Sequence, residues 1–135
     1  MLRIILGVVA GFLAWAILWV GSDQLLISLS PNWYGVHQHA FDGVMSNHSA
    51  FTPDSTILLM HLVRASIISI MSGFIAAVVA SENRRTPIAL GILLLLFGAG
   101  VEAMAWNYLP VWYHIVFLAL LIPTTILGAR MKQTA

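Results

Sequence analysis

The stretch from Thr52 to Arg85 limits the possible folds of this chain more than any other, because it holds an apolar run long enough to cross a membrane. The run extends from Ile57 to Ala80, which as a helix spans roughly 36 Å, against a hydrocarbon layer of roughly 30 Å. One cation, Arg64, lies inside this run. A lipid-facing arginine is costly at that depth, so we predict a transmembrane helix whose arginine has a partner elsewhere in the chain.

The composition places the whole chain among membrane proteins. Of its 135 residues, 60% are hydrophobic and only 8% are charged, and the mean hydropathy is +0.93, whereas soluble domains carry roughly 25% charged residues. No linker or internal repeat divides the sequence, so residues 1–135 are predicted to form a single domain. The net charge of +1 argues against a nucleic-acid partner, and the absence of cysteine excludes disulfides and thiolate metal sites.

Hydropathy and helix-start signals predict four transmembrane helices, at about residues 2–29, 56–80, 87–106 and 110–129. The first span resembles a signal peptide, because Arg3 is followed by an apolar run. This run continues to Val20 without a small-residue cleavage site after it, so we expect an uncleaved span. Thr86-Pro87 and Pro110 mark the starts of the third and fourth helices. The predicted fold is therefore an all-α bundle of four transmembrane helices.

The sizeable loop of the chain covers residues 30–55 and contains three of the five histidines. Ser30 followed by Pro31 is typical of a helix start, and apolar residues then recur at helical spacing, at positions 33, 36, 40 and 44. We therefore predict a short helix that lies at the membrane interface. The second transmembrane helix is expected to begin at Thr52-Pro53-Asp54, which supply a cap residue, a proline and an acid in the first turn.

The positions of the basic residues predict the orientation in the membrane. One side of the four-span arrangement holds five basic residues, namely Arg3, Arg84, Arg85, Arg130 and Lys132. Cytoplasmic segments carry the excess of lysine and arginine, so both termini are predicted to be cytoplasmic and loop 30–55 extracytoplasmic. Four short spans without a soluble domain are typical of small bacterial inner-membrane proteins, and we expect that location.

Five polar residues form the first candidate site, because every predicted span places at least one of them in its outer half. They are Asp23, His61, Arg64, Glu102 and His114. His61 and Arg64 are three residues apart and share a helix face, and the candidate counter-charges for Arg64 are Glu102 and Asp23. Pairing with Glu102 predicts that Arg64→Leu combined with Glu102→Leu is milder than either single substitution.

Two interpretations of these five residues stay open. They form a polar pocket that holds a ligand or moves a proton, or they form an ion pair that holds the helices in register while other polar heads reach towards water.

A second candidate site is a metal site in the outer loop. His37 and His39, with Asp42 and His48 nearby, have the side chains that zinc or copper binds, although their spacing is not diagnostic. His61 and His114 lie at comparable depth on different helices, as two axial haem ligands would. An interfacial loop with weakly polar side chains explains the same histidines, and no cofactor is expected.

Small residues at four-residue spacing predict close helix packing. Gly7 and Gly11 form one such pair on the first helix. A longer series runs down one side of the second helix and consists of Ala65, Ser69, Gly73 and Ala77. These positions let another helix approach closely in lipid.

The leading functional hypothesis is non-catalytic, and no enzyme is expected. Four short spans enclose little interior volume, and the small-residue faces suit an accessory subunit that packs against other membrane subunits or against copies of itself. The lipid bilayer is the other expected partner. The alternative is an outward-facing transporter, channel or ligand-binding protein that uses the five polar residues, and a haem- or metal-binding protein ranks third.

Overall fold

The computed structural model describes residues 2–47, 54–107 and 109–133. This part of the chain is helical between short connections. Its helices are α1 (Leu2–Leu29), α2 (Val36–Asn47), α3 (Ser55–Ala80), α4 (Arg85–Met104) and α5 (Val111–Gln133), and a π-helical turn at Pro31–Gly35 leads into α2. The all-helical fold predicted from the sequence is confirmed.

Four of these helices, α1, α3, α4 and α5, are long and apolar enough to cross a membrane, as predicted. The bounds of α1 agree with the predicted span, and α3 begins one residue earlier than expected. Helix α4 begins at Arg85 and ends at Met104, so the predicted span 87–106 is displaced towards the C-terminus. Helix α5 continues past residue 129 to Gln133.

The start of α3 has a side-chain cap, and the capping residue is Asp54. Its carboxylate accepts a hydrogen bond from the Thr56 backbone N–H at 2.9 Å and another from the Trp33 indole at 2.8 Å. The hydrogen bond from Trp33 is the largest effect on Asp54. Together with the weaker backbone hydrogen bonds it outweighs desolvation and lowers the pKa of Asp54. The predicted cap at Thr52 lies outside the described residues. The π-helical turn begins at Pro31, where the sequence predicts a helix start, but Ser30 makes no side-chain capping bond.

Glu82 caps α4, which corrects the prediction that Thr86-Pro87 begins this helix. The carboxylate of Glu82 accepts hydrogen bonds from the backbone N–H groups of Arg84, Arg85 and Thr86 at 2.6–2.8 Å. The Thr86 hydroxyl donates a further bond to it at 2.8 Å. A helix leaves its first N–H groups without intrahelical partners, and here a side chain three residues before the helix satisfies them. Helix α4 therefore begins two residues earlier than the proline signal indicates.

Helix α3 is the central element of the bundle, with α1 and α5 packed closely against it. At the α3–α5 crossing, Gly73 faces the Thr125 carbonyl and Gly128 faces the Ile70 carbonyl so closely that a Cβ at either glycine would overlap the facing oxygen. At the α1–α3 crossing, a Cβ on Gly7 would lie 2.6 Å from the Ala76 carbonyl oxygen. Glycine is required at these places because two helix backbones touch.

The small residues singled out in the sequence are used inside this one chain. Gly7, Gly11, Ala65, Ser69, Gly73 and Ala77 are all buried in it. Ser69 also accepts a hydrogen bond from the Trp15 indole at 3.0 Å, which joins α3 to α1. The remaining surface of the spans is lined by large exposed apolar side chains, as a lipid-facing surface would be.

Candidate functional site

Arg64 is buried and has an acidic partner, Asp23 on α1. Its Nη1 atom lies 3.5 Å from the Asp23 carboxylate and donates a 2.7 Å hydrogen bond to the Tyr34 hydroxyl. The guanidinium carbon also lies 4.0 Å from the centre of the Trp19 ring, which gives the cation a cation–π contact. Of the two counter-charges predicted for Arg64, the structure brings Asp23 into contact.

The predicted pairing of Arg64 with Glu102 is wrong, because Glu102 is paired with His114. The carboxylate of Glu102 contacts Nδ1 of His114. Nε2 of the same imidazole lies 3.3 Å from the Trp106 carbonyl oxygen, and the ring stacks on the Trp106 indole with 4.5 Å between centroids. Both ring nitrogens of His114 thus face oxygen acceptors.

Tyr34 bonds to both members of the Arg64–Asp23 pair and holds the π-helical turn in place. It is fully buried, and its hydroxyl donates to Asp23 at 2.5 Å while it accepts from Arg64. Gln38 on α2 donates to the same carboxylate at 3.3 Å. Burial, followed by the hydrogen bond to Asp23, raises the pKa of the Tyr34 phenol, so it stays neutral. The π-helical turn and α2 are therefore tethered to α1 and α3 by a polar network.

His61 lies among aromatic rings between the two pairs. Its imidazole contacts Trp19, Tyr34 and Tyr113, with ring centroids 5.8, 5.7 and 6.5 Å apart. The side chain is 94% buried, and its Nδ1 atom has no hydrogen-bond partner among the described residues. A buried polar atom without a partner costs free energy. The other four predicted polar residues form the pairs Arg64–Asp23 and Glu102–His114, whereas these pairs give no role to His61.

A cavity of about 310 Å³ lies beside His61 at this end of the bundle. Every helix contributes to its wall, which is mostly aromatic and apolar. The lining residues are Trp15, Trp19, His37, Gln38, Phe41, Leu58, His61, Phe97, Gly98, Val101, Glu102, Ala105, Leu109, Tyr113 and Phe117. The polar members, on α2, α3 and α4, converge on an otherwise apolar space, as is typical of small-molecule sites.

The predicted metal ligands are not brought together where they are described. His37 is buried and lines the cavity, whereas His39 and Asp42 on the same helix are exposed, and His48 lies outside the described residues. Within residues 2–47, 54–107 and 109–133, no group of three His, Cys, Asp or Glu side chains is placed to hold a metal ion. For haem, His114 offers no nitrogen that is free of a contact.

The sequence pattern identifies the five polar residues but not the aromatic residues that position them. Trp19 and Tyr34 both contact Arg64. An arginine inside a span that also needs an aromatic face is a usable signal for Trp19, because guanidinium groups stack on indoles. Tyr34 has no such signal, since its burial depends on how the segment after α1 folds back.

Comparison of the chain with protein-family models, with curated proteins and with solved structures gives no match.

Proposed function

We propose that the protein binds a small, uncharged, lipid-soluble ring compound with hydrogen-bond acceptors, of the quinone type, in the cavity beside His61. The observation that carries the proposal is that His61, whose buried Nδ1 atom has no partner in the described structure, is a wall residue of an aromatic-lined cavity. A ligand carbonyl at this position would accept a hydrogen bond from the imidazole. This is the ligand-binding alternative among the roles predicted from the sequence.

The charges around the cavity favour an uncharged ligand. Glu102, the described acidic residue in the wall, is paired with His114. Arg64, which lies behind Trp19, is paired with Asp23. A charged ligand would have to leave water without a free counter-charge, and that desolvation is costly.

The size and lining of the cavity favour a flat ring. A volume of about 310 Å³ is close to the lower limit of ligand pockets, roughly 300 Å³, so it suits a ring and not a whole lipid. Trp15 and Trp19 stack on each other with 5.3 Å between centroids and both line the wall. Aromatic walls of this kind favour flat apolar molecules because offset stacking adds to apolar burial.

We further propose the orientation that the basic residues predict. Both termini face the cytoplasm, residues 30–55 face the other side, and the membrane is a bacterial inner membrane. The support is the charge bias of the loops and termini. For an interfacial position of α2, the support is that Trp33, in the turn before it, and Val36, its first residue, expose 44% and 59% of their surfaces.

The accessory-subunit and self-association roles stay predictions without a specific observation in their favour. These roles need small-residue surface that is available to another protein, and the six small residues concerned are buried within this chain. Exposed apolar side chains on α1 and α3 suit lipid as well as another protein.

The test is a binding titration of purified protein in lipid nanodiscs with 1,4-naphthoquinone, and with naphthalene as a ring without carbonyl acceptors. Thiol adducts do not arise, because the chain has no cysteine, and empty nanodiscs report partition into lipid. We expect saturable binding of naphthoquinone at one site, and weaker binding of naphthalene by roughly 2- to 10-fold, since one neutral hydrogen bond is lost.

Two histidine variants supply the control. His61→Phe keeps a ring in place and should lower the naphthoquinone affinity to that of naphthalene. His39→Phe replaces an exposed histidine on α2 and should leave the affinities for both compounds unchanged. Equal naphthoquinone binding by wild type and His61→Phe, or non-saturable uptake alone, would show that the proposal is wrong.

A further inference from the structure

A second pocket lies at the other end of the bundle, where the α3–α4 loop approaches the last turns of α5. It has a volume of about 570 Å³ and is lined by Asn83, Arg84 and Ile88 on one side and by Ile126 and Arg130 on the other. It shares no lining residue with the cavity beside His61. The pocket is therefore a separate candidate site.

The two arginines of this pocket carry charge that the described structure does not neutralise. Arg84 and Arg130 are exposed, and neither forms an ion pair among the described residues. The nearby acid, Glu82, has its carboxylate bound by the backbone N–H groups at the start of α4 and by the Thr86 hydroxyl. An anion at the pocket would thus be held by the arginine side chains, because the helix N-terminus is already occupied.

The depth of the pocket matches the headgroup layer of a membrane. The membrane-length segments that flank it begin at Arg85 and end at Met131, so both arginines lie at the ends of spans. Ile88 and Ile126 lie one turn further into the spans, and Ile88 exposes 49% of its surface. Charged groups at the end of a span and apolar groups one turn deeper match the two parts of a phospholipid.

We propose that this pocket binds an anionic phospholipid, with its phosphate between Arg84 and Arg130 and its acyl chains along Ile88 and Ile126. Arginine donates to phosphate in a bidentate geometry, and basic pockets between transmembrane helices bind anionic headgroups. The Asn83 side chain adds a hydrogen-bonding group at the pocket wall.

Native mass spectrometry of the full chain in detergent tests this proposal. The protein is titrated with dioleoyl-phosphatidylglycerol and, separately, with dioleoyl-phosphatidylcholine. The double variant Arg84→Gln/Arg130→Gln is compared with Arg3→Gln/Arg85→Gln, which removes the same charge from arginines that do not line the pocket. All four positions are at the ends of spans, and helical circular dichroism confirms that each variant is folded.

We expect phosphatidylglycerol to bind wild type more tightly than phosphatidylcholine. Arg84→Gln/Arg130→Gln should weaken phosphatidylglycerol binding by roughly 10-fold more than the charge-matched control does, because it removes hydrogen bonds to a charged group as well as charge. Equal loss in both double variants would overturn the proposal. Displacement of the lipid by millimolar inorganic phosphate would also overturn it, because the site would then recognise a free anion.

Discussion

The guanidinium carbon of Arg64 lies 4.0 Å from the centre of the Trp19 ring, although the two residues belong to different helices. Nε and Nη2 of Arg64 have no hydrogen-bond partner among the described residues, so the indole face supplies part of the contact that water would otherwise give. Asp23 and Tyr34 supply the rest through Nη1. This combination explains how a span can hold a buried arginine.

The pairing of Arg64 with Asp23 predicts coupling in a double-mutant cycle. Arg64→Leu and Asp23→Asn should each destabilise the protein by about 1–3 kcal/mol, because each leaves a buried polar group without its partner. The double variant should be milder than the sum by at least about 0.5 kcal/mol. Unfolding in mixed micelles, followed by circular dichroism, measures these differences.

The matched cycle uses Glu102→Leu in place of Asp23→Asn. Glu102 is paired with His114, so its effect and that of Arg64→Leu should add to within about 0.5 kcal/mol. Strong coupling of Arg64 to Glu102, with none to Asp23, would contradict the pairing seen in the structure.

The Tyr34 hydroxyl predicts how firmly α2 is held over the cavity. Tyr34→Phe removes both the bond to Asp23 and the bond from Arg64, so the amides of residues 36–43 should exchange hydrogen roughly 5- to 100-fold faster. Trp33→Phe removes an exposed bond to Asp54 and should have a much smaller effect. Hydrogen-exchange mass spectrometry measures both, and equal rates in wild type and Tyr34→Phe would show that the hydroxyl does not hold α2.

The helix crossings predict which glycines tolerate alanine. Gly73→Ala and Gly128→Ala should each destabilise the protein by about 1–3 kcal/mol or more, because the new Cβ overlaps a carbonyl of the facing helix. Gly21 and Gly100 have no heavy atom within 4 Å of such a Cβ, so alanine there should be neutral or slightly stabilising. Thermal unfolding in detergent compares the four variants, and similar losses at all four would contradict the packing.

Much of the fold is predictable from the sequence, because apolar runs of membrane length leave few alternatives to helices. The helix bounds lie within four residues of the predicted spans, with the largest difference at the end of α5 and a two-residue displacement of α4. That displacement has a local cause. Glu82 binds the backbone N–H groups of Arg85 and Thr86, which lie before Pro87, so the first turn begins ahead of the proline. A side chain that folds forward onto a helix start leaves no periodic signal in the sequence.

The candidate site is predictable only in its list of polar residues. Helical spacing shows that His61 and Arg64 share a face, but it does not show which helix lies opposite, so Asp23 and Glu102 stayed equal candidates. The structure places Asp23 against Arg64, with the Tyr34 hydroxyl bonded to both residues. The same limit applies to the small residues, whose spacing is alike for packing within a chain and between chains.

The Glu82 cap predicts a pH-dependent stability at the α3–α4 loop. Desolvation raises the pKa of Glu82, but the hydrogen bonds from Arg85, Thr86 and Arg84 outweigh it and lower the pKa from 4.5 to about 2. The folded-state pKa is depressed, so the stabilisation is fully present above about pH 4.5 and is lost as the pH falls towards 2.

Glu82→Gln should therefore cost about 1 kcal/mol at pH 7, in the lower range for caps because the side chain is largely solvated. The difference from wild type should fade between pH 4.5 and 2. Asp42→Asn removes the same charge from an exposed acid on α2 and serves as the control. Unfolding curves at several pH values decide, and a Glu82→Gln effect that stays constant from pH 7 to pH 2 would contradict the cap.

The most direct test of a ligand site beside His61 is the ¹⁵N NMR signal of its imidazole in nanodiscs, assigned by its loss in His61→Phe. Saturation with 1,4-naphthoquinone should shift the Nδ1 resonance of His61, because this buried atom gains a hydrogen-bond partner, while the exposed His39 ring should be unaffected. An unchanged His61 resonance in protein that binds naphthoquinone saturably would contradict the proposed site.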